Sequence, residues 1–224
     1  MPFTYTIEHM EEDDEASKTI PRWVELEYKH MQTLAGPSSK VYFTHVSSTS
    51  KSSLDALFSP SPSPSSSTTP RATVSAFTQD VLSVLKTEGV PHEKVCLLDP
   101  KAPQELAPED GDGRFEFFLF GGILGDDPPR DRTSELRALG FPSRHLGSVQ
   151  MTTDTALGVT KLVVEDKIPL NEINYIDFPT IRFNSKESVE MPFRYIANGS
   201  DSEPILPPGM REHLHADLNQ SFEF

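Results

Sequence analysis

The chain has 224 residues, 34 of them acidic against 20 lysines and arginines, for a formal charge of −14. A surface of that sign repels phosphate and holds no Lys/Arg-rich run, which disfavours bare nucleic acid and favours a basic protein as partner. A single cysteine excludes an internal disulfide framework, no apolar run approaches the roughly 18 residues of a membrane span, and residues 1–7 lack the basic and apolar parts of a signal peptide, so a cytoplasmic protein without a membrane partner is expected.

In chain order, Phe3 to Met10 alternates and carries β-branched and aromatic residues, which reads as a strand. The acidic run Glu11-Glu12-Asp13-Asp14-Glu15 follows. Pro21 opens a helix with Trp23, Leu26, His30, Met31 and Leu34 on one face, and Gly36 closes it. Lys40 to Val46 is a second strand. Residues from about 48 to 72 are mostly Ser, Thr and Pro and are expected to be a disordered insertion, with docking of Leu54, Leu57 and Phe58 as the alternative. Val74, Phe77, Val81, Val84 and Leu85 place a helix over Ala72 to Glu88, stopped by Gly89. Val95 to Leu98 is a short buried strand in which Cys96 is a small hydrophobe and not a nucleophile. Phe115 to Phe120 is nearly all apolar, as in a central parallel strand. Thr133 to Leu139 is a helix, Arg144 to Leu146 a short strand, and Asp154 to about Val164 a helix. From about residue 168 to 224 the chain reads as an extension over the sheet, ending in a helix over Pro208 to Leu218. Alternating strands and helices define one α/β domain, residues 1–224, around a parallel sheet.

Three strand ends carry the candidate chemistry: Leu98-Asp99-Pro100, Gly121-Gly122-Ile123-Leu124-Gly125-Asp126, and Leu146-Gly147 with Met151-Thr152-Thr153-Asp154-Thr155-Ala156. Open α/β sheets bind ligands beyond the carboxyl ends of their strands, where glycines let a ligand approach bare backbone. Gly121-Gly122-x-x-Gly125 matches neither the dinucleotide fingerprint nor a P-loop, and Pro128-Pro129 delays the next helix, so a cofactor without phosphates suits the turn. The seven histidines form no ligand cluster, and no metal is expected. Arg130, Asp131 and Arg132 read as an ion-pair network bracing the Gly-rich turn.

Phe118-Leu119-Phe120-Gly121-Gly122-Ile123-Leu124-Gly125 and Leu146-Gly147-Ser148-Val149-Gln150-Met151-Thr152-Thr153-Asp154-Thr155-Ala156 resemble the SPOUT methyltransferases. Asp154 stands where many members have Glu. Ile7-Glu8-His9-Met10-Glu11-Glu12, Val95 to Pro100, Gly125 to Thr133 and Glu190-Met191-Pro192-Phe193-Arg194-Tyr195 are similar to the fungal branch that methylates arginine in a small-subunit ribosomal protein. The likeness covers nearly all of the chain outside residues 48–75. It implies a parallel sheet with helices on both faces, a C-terminal trefoil knot, and S-adenosylmethionine held by Leu98, Asp99, Pro100, Gly121, Gly122, Ile123, Gly125, Leu146, Gly147, Met151, Thr152 and Thr153.

Methylating a guanidinium nitrogen calls for carboxylates that orient the group and accept a proton. The candidates are Glu8, Glu11 and Glu12 beyond the first strand, Asp126 beyond the Gly-rich turn, and Asp154, whose simpler role is a helix N-cap. The leading expectation is protein arginine N-methylation of a basic ribosomal protein. RNA methylation and a non-catalytic cofactor-binding assembly factor are the alternatives. Most of the superfamily dimerises through the knot; the C-terminal extension is expected to cover that surface and leave a monomer, with a homodimer as the other outcome.

Overall fold

Six short segments form one sheet: β1 (Thr4–Glu8), β2 (Lys40–Thr44), β3 (Thr73–Ala76), β4 (Val95–Leu98), β5 (Phe117–Gly121) and β6 (Ser143–Arg144). Their order is β3-β2-β1-β5-β4-β6, and every pairing is parallel. The computed structural model describes residues 2–59, 70–122, 131, 133–199 and 203–220. Around the sheet run α1 (Arg22–Ala35), α2 (Ser48–Phe58), α3 (Val81–Glu88), α4 (Thr133–Ala138), α5 (Thr153–Val164) and α6 (Met210–Gln220). After α5, β7 (Tyr175–Asp177) pairs with β10 (Arg194–Ile196), and β8 (Thr180–Arg182) with β9 (Ser188–Glu190), both antiparallel.

β4 and β5 are apolar on both faces because both are covered. Tyr5, Ile7, Cys96, Leu98, Phe118 and Phe120 join the core made with α1 and α5. Their neighbours Tyr42, Val95, Leu97, Phe117 and Leu119 join a second core with α3 and α4. The period-2 alternation of strand side chains thus divides β2, β4 and β5 between two cores. Cys96 is fully buried, and burial pushes its thiol up to about 12, which suppresses the thiolate at neutral pH.

Two expectations are corrected. The helix expected over Ala72 to Glu88 is β3 followed by α3. Thr73 to Ala76 pairs with the open edge of β2, and Asp80 then caps α3 by accepting the Ser83 N–H at 2.7 Å. A free strand edge and β-branched residues outweigh the helical spacing there. The insertion is not disordered throughout, since residues 48–58 form α2. Ser47 caps it by accepting the Ser50 N–H at 3.0 Å, Leu54 is buried, and Phe58 stacks on Phe43 with ring centres 6.1 Å apart. Residues 60–69 of that stretch lie outside the described residues.

Candidate active site

The carboxyl ends of β4 and β5 and the turn after β6 surround a cleft of about 340 Å³. The first wall is Leu98, Asp99 and Pro100. Asp99 is buried, and its amide donates to the Arg144 carbonyl at 2.9 Å. Arg137 of α4 grips its carboxylate with two bonds, Nε to Oδ2 at 2.6 Å and Nη2 to Oδ1 at 2.7 Å. Burial alone would raise the Asp99 carboxyl. The Arg137 bonds and the Lys101 amide outweigh it and hold the group below the usual range. Asp131 bridges the same arginine to Lys101, whose Nζ lies 2.6 Å from Oδ2. Lys101 and Arg137, the cations lining this rim among the described residues, are therefore already paired. Arg130 and Arg132, expected in that network, lie outside the described residues.

The second wall is Phe120 and Gly121. A Cβ on Gly121 would sit 3.2 Å from both Thr133 Cα and Leu136 Cδ1, so α4 packs directly on bare backbone. The Gly122 carbonyl accepts the Thr153 hydroxyl at 2.8 Å and ties this turn to the start of α5. Gly122 itself is not part of the cleft wall, and Ile123, Gly125 and Asp126 lie outside the described residues. The third wall is Leu146 to Met151 with Thr153 and Ala156. Gly147 has φ +102°, a conformation a side chain would strain. Thr152 does not line the cleft. It is the N-cap of α5, and its hydroxyl donates to that of Thr155 at 2.8 Å. Asp154 is therefore not the cap, contrary to its simpler role.

Sequence reasoning passed over several contributors. Arg137 and Lys101 sit among ordinary surface charges in the sequence, and only the fold turns them onto Asp99 and Asp131. Arg194, from the extension, donates its amide to the Gln150 carbonyl at 2.8 Å. Its guanidinium pairs with Asp177 at 2.6 and 2.8 Å and lies 4.7 Å from the Tyr175 ring centre. The extension thus braces the third wall, for which the Pro192-Phe193-Arg194-Tyr195 run was the available signal.

The candidate acids lie in different places. Glu8 ends β1 but turns away from the cleft. It accepts the Thr44 hydroxyl and the Val81 N–H at 3.0 Å, at the start of α3. Burial pushes its carboxyl up from the usual range. Glu11 is half-buried and Glu12 exposed. Asp154 is 1% exposed, at the α1–α5 interface, where Oδ2 meets His30 Nδ1 at 2.7 Å. Thr153 and Ala156, on the same helical turn, face the cleft.

The cleft fits S-adenosylmethionine on its donor set. Apolar side chains such as Leu98, Phe120 and Met151 offer a slot for an adenine ring. Backbone at Asp99, Gly121 and Gly147 offers polar edges, and a phosphate would find Lys101 and Arg137, the rim cations among the described residues, occupied. Among the described residues no group of three His, Cys, Asp or Glu is placed to hold a metal.

A parallel α/β domain with a phosphate-free ligand cleft at its strand ends is the class that fold and site define. Within it, the chain belongs to the family described as protein arginine N-methyltransferase SFM1-like, whose model matches residues 4–221. It is 39% identical over 227 residues to protein arginine N-methyltransferase SFM1 of Saccharomyces cerevisiae, covering 98% of this chain and 97% of the yeast protein. The solved structure of yeast SFM1 complexed with SAM superposes with a TM-score of 0.78 at 36% identity, covering 97% of this chain and 92% of that one. The SAH complex gives 0.75 at 35% identity, with 94% of each chain covered.

Proposed function

We propose that this chain is an S-adenosylmethionine-dependent protein arginine N-methyltransferase that acts on a basic small-subunit ribosomal protein in the cytoplasm, as a monomer. The observation that carries the reading is the three-walled cleft at the ends of β4 and β5, in a chain alike to SAM-bound SFM1 along nearly its whole length. Leu98, Asp99, Pro100, Gly121, Leu146, Gly147, Met151 and Thr153 would hold the cofactor, with Ile123 and Gly125 assigned to the same pocket by the resemblance. Gly122, whose carbonyl ties the second turn to Thr153, and Thr152, which caps α5, would serve from behind the wall. The C-terminal trefoil knot belongs to this reading too.

When bound, the cofactor supplies a methyl group already activated on a sulfonium. The protein must orient the nucleophile, exclude water and take up one proton, because guanidinium and sulfonium give methylguanidinium, a thioether and a proton. Asp99 and Asp131 of the cleft wall are held by Arg137 and Lys101, which leaves Asp154, between the cleft residues Thr153 and Ala156 in sequence, as our candidate for that task. Glu11, Glu12 and Asp126 remain candidates for gripping the substrate. Glu8 supports α3 and acts on the site only through the end of β1. The charge of −14 supports a basic acceptor, and among the described residues no helix is long and apolar enough to cross a membrane. The reading is tested with radiolabelled cofactor and small-subunit ribosomal proteins: D154N should lose transfer and keep cofactor binding. Label confined to RNA would overturn the protein assignment.

A further inference from the structure

Behind the α5 wall of the cleft lies a buried polar cluster that the sequence did not announce. Glu27 of α1 and Asp154 of α5 are 4% and 1% exposed, and Tyr195 of β10 is 1% exposed. Glu27 Oε2, Asp154 Oδ1 and the Tyr195 hydroxyl make no hydrogen bond to a described residue. His30, one turn along α1 from Glu27, is bonded to the other Asp154 oxygen. The three groups come from three elements and face one another. Burial raises the Tyr195 hydroxyl, and the charges of Asp154 and Glu27 raise it further. Burial and Asp154 likewise push Glu27 well above the carboxylate range.

Two buried acids whose one basic partner among the described residues is His30, on Asp154 Oδ2, and whose Glu27 Oε2 and Asp154 Oδ1 go unmatched, cost stability. Leu or Gln at position 27 would pack as well without that cost, so the carboxyl asks for a functional account. The missing complement is a planar cation with several N–H donors: two carboxyl oxygens and a phenol oxygen left without partners match a guanidinium, which would draw Glu27 into its ionised form, and leave a single-point ammonium under-bonded.

We propose that Glu27, Asp154 and Tyr195 form the receptor for the arginine guanidinium of the substrate, placing it beside the cleft at the turn that carries Thr153 and Ala156. The proposal rests on the arginine methyltransferase reading above and adds two residues, Glu27 and Tyr195, that grip the substrate. The cluster is shut from solvent, so under this proposal the α1–α5 contact must part at this turn for the side chain to enter.

The test uses the full chain, purified small-subunit ribosomal proteins as acceptor and labelled S-adenosylmethionine, comparing wild type, E27Q and Y195F. Glu27→Gln keeps the shape and removes the carboxyl that a bound guanidinium would ionise. It should lower kcat/KM for the acceptor by about 100-fold, the weight of a charge-assisted bidentate contact. Tyr195→Phe should lower it by about tenfold, the weight of one hydrogen bond. Both variants should bind S-adenosylhomocysteine within about threefold of wild type, and E27Q should melt no lower than wild type, which a purely structural acid does not combine with lost transfer. Transfer within about threefold of wild type in both variants overturns the proposal. Loss of S-adenosylhomocysteine binding in parallel with activity overturns it too, because the cluster then only shapes the cleft. Failure of the wild-type protein to methylate any arginine would instead strike the functional reading on which the proposal stands.

Discussion

At the scale of single residues, the cleft depends on carboxylates that the fold has already assigned. Asp99 is locked by Arg137, so it contributes backbone and a rigid wall, not a free charge. Arg137→Ala would strand a buried carboxylate, at a cost of about 1–3 kcal/mol. We expect that loss in urea denaturation, together with weaker cofactor binding by calorimetry. Because the folded Asp99 carboxyl is held below its unfolded range, its contribution is present above the unfolded value and lost as pH falls through the folded one. The R137A penalty should therefore shrink toward low pH. Glu27 has the opposite sign. Its folded carboxyl lies well above the unfolded value of about 4.3, so stability is greatest below that value and declines as pH rises through the folded one. Glu27→Gln should remove this decline: the variant gains on wild type as pH rises above the unfolded value, with His30, Asp154, Tyr28 and Tyr195 as the neighbouring groups. A wild-type-minus-variant difference that is flat with pH would contradict the assignment. None of this pairing was legible in the sequence, because Glu27 and Asp154 lie 127 positions apart and read separately as a polar helix position and a helix start.

At the scale of elements, the strands were the most legible part. Val95 to Leu98 and the Phe-rich run before Gly121 are apolar on both faces, a pattern that a doubly covered parallel strand produces and few other elements do. The errors fell where composition and tertiary context disagree. The Ser-rich segment from Ser48 looked unable to fold, yet a serine cap, one buried Leu54 and the Phe58–Phe43 stack suffice to dock a helix on the sheet. Leu54→Ala should cost about 2–4 kcal/mol, whereas Ser52→Ala on the exposed side should stay within about 0.5 kcal/mol. Equal effects, measured by thermal melting, would mean that α2 does not pack as described. At 73–76 a helical spacing coincided with an edge strand, and only the vacancy beside β2 decides between them.

At the scale of the whole molecule, the charge of −14 was legible at once and shapes the expected kinetics. An acidic enzyme meeting a basic acceptor is steered by its field, and salt weakens that steering. KM for the proposed basic acceptor should therefore rise with ionic strength while cofactor affinity stays nearly constant. The order of the three cleft turns was legible too, because each follows a strand. The brace supplied by Arg194 was not, because it depends on how the extension returns over the α5 turn. The measurement that bears most directly on the central claim is transfer of labelled methyl groups to small-subunit ribosomal proteins and, separately, to deproteinised ribosomal RNA, followed by amino-acid analysis of the labelled protein. The account predicts methylarginine in one basic protein and no label in RNA. Label in RNA alone, or in a protein residue other than arginine, would contradict it.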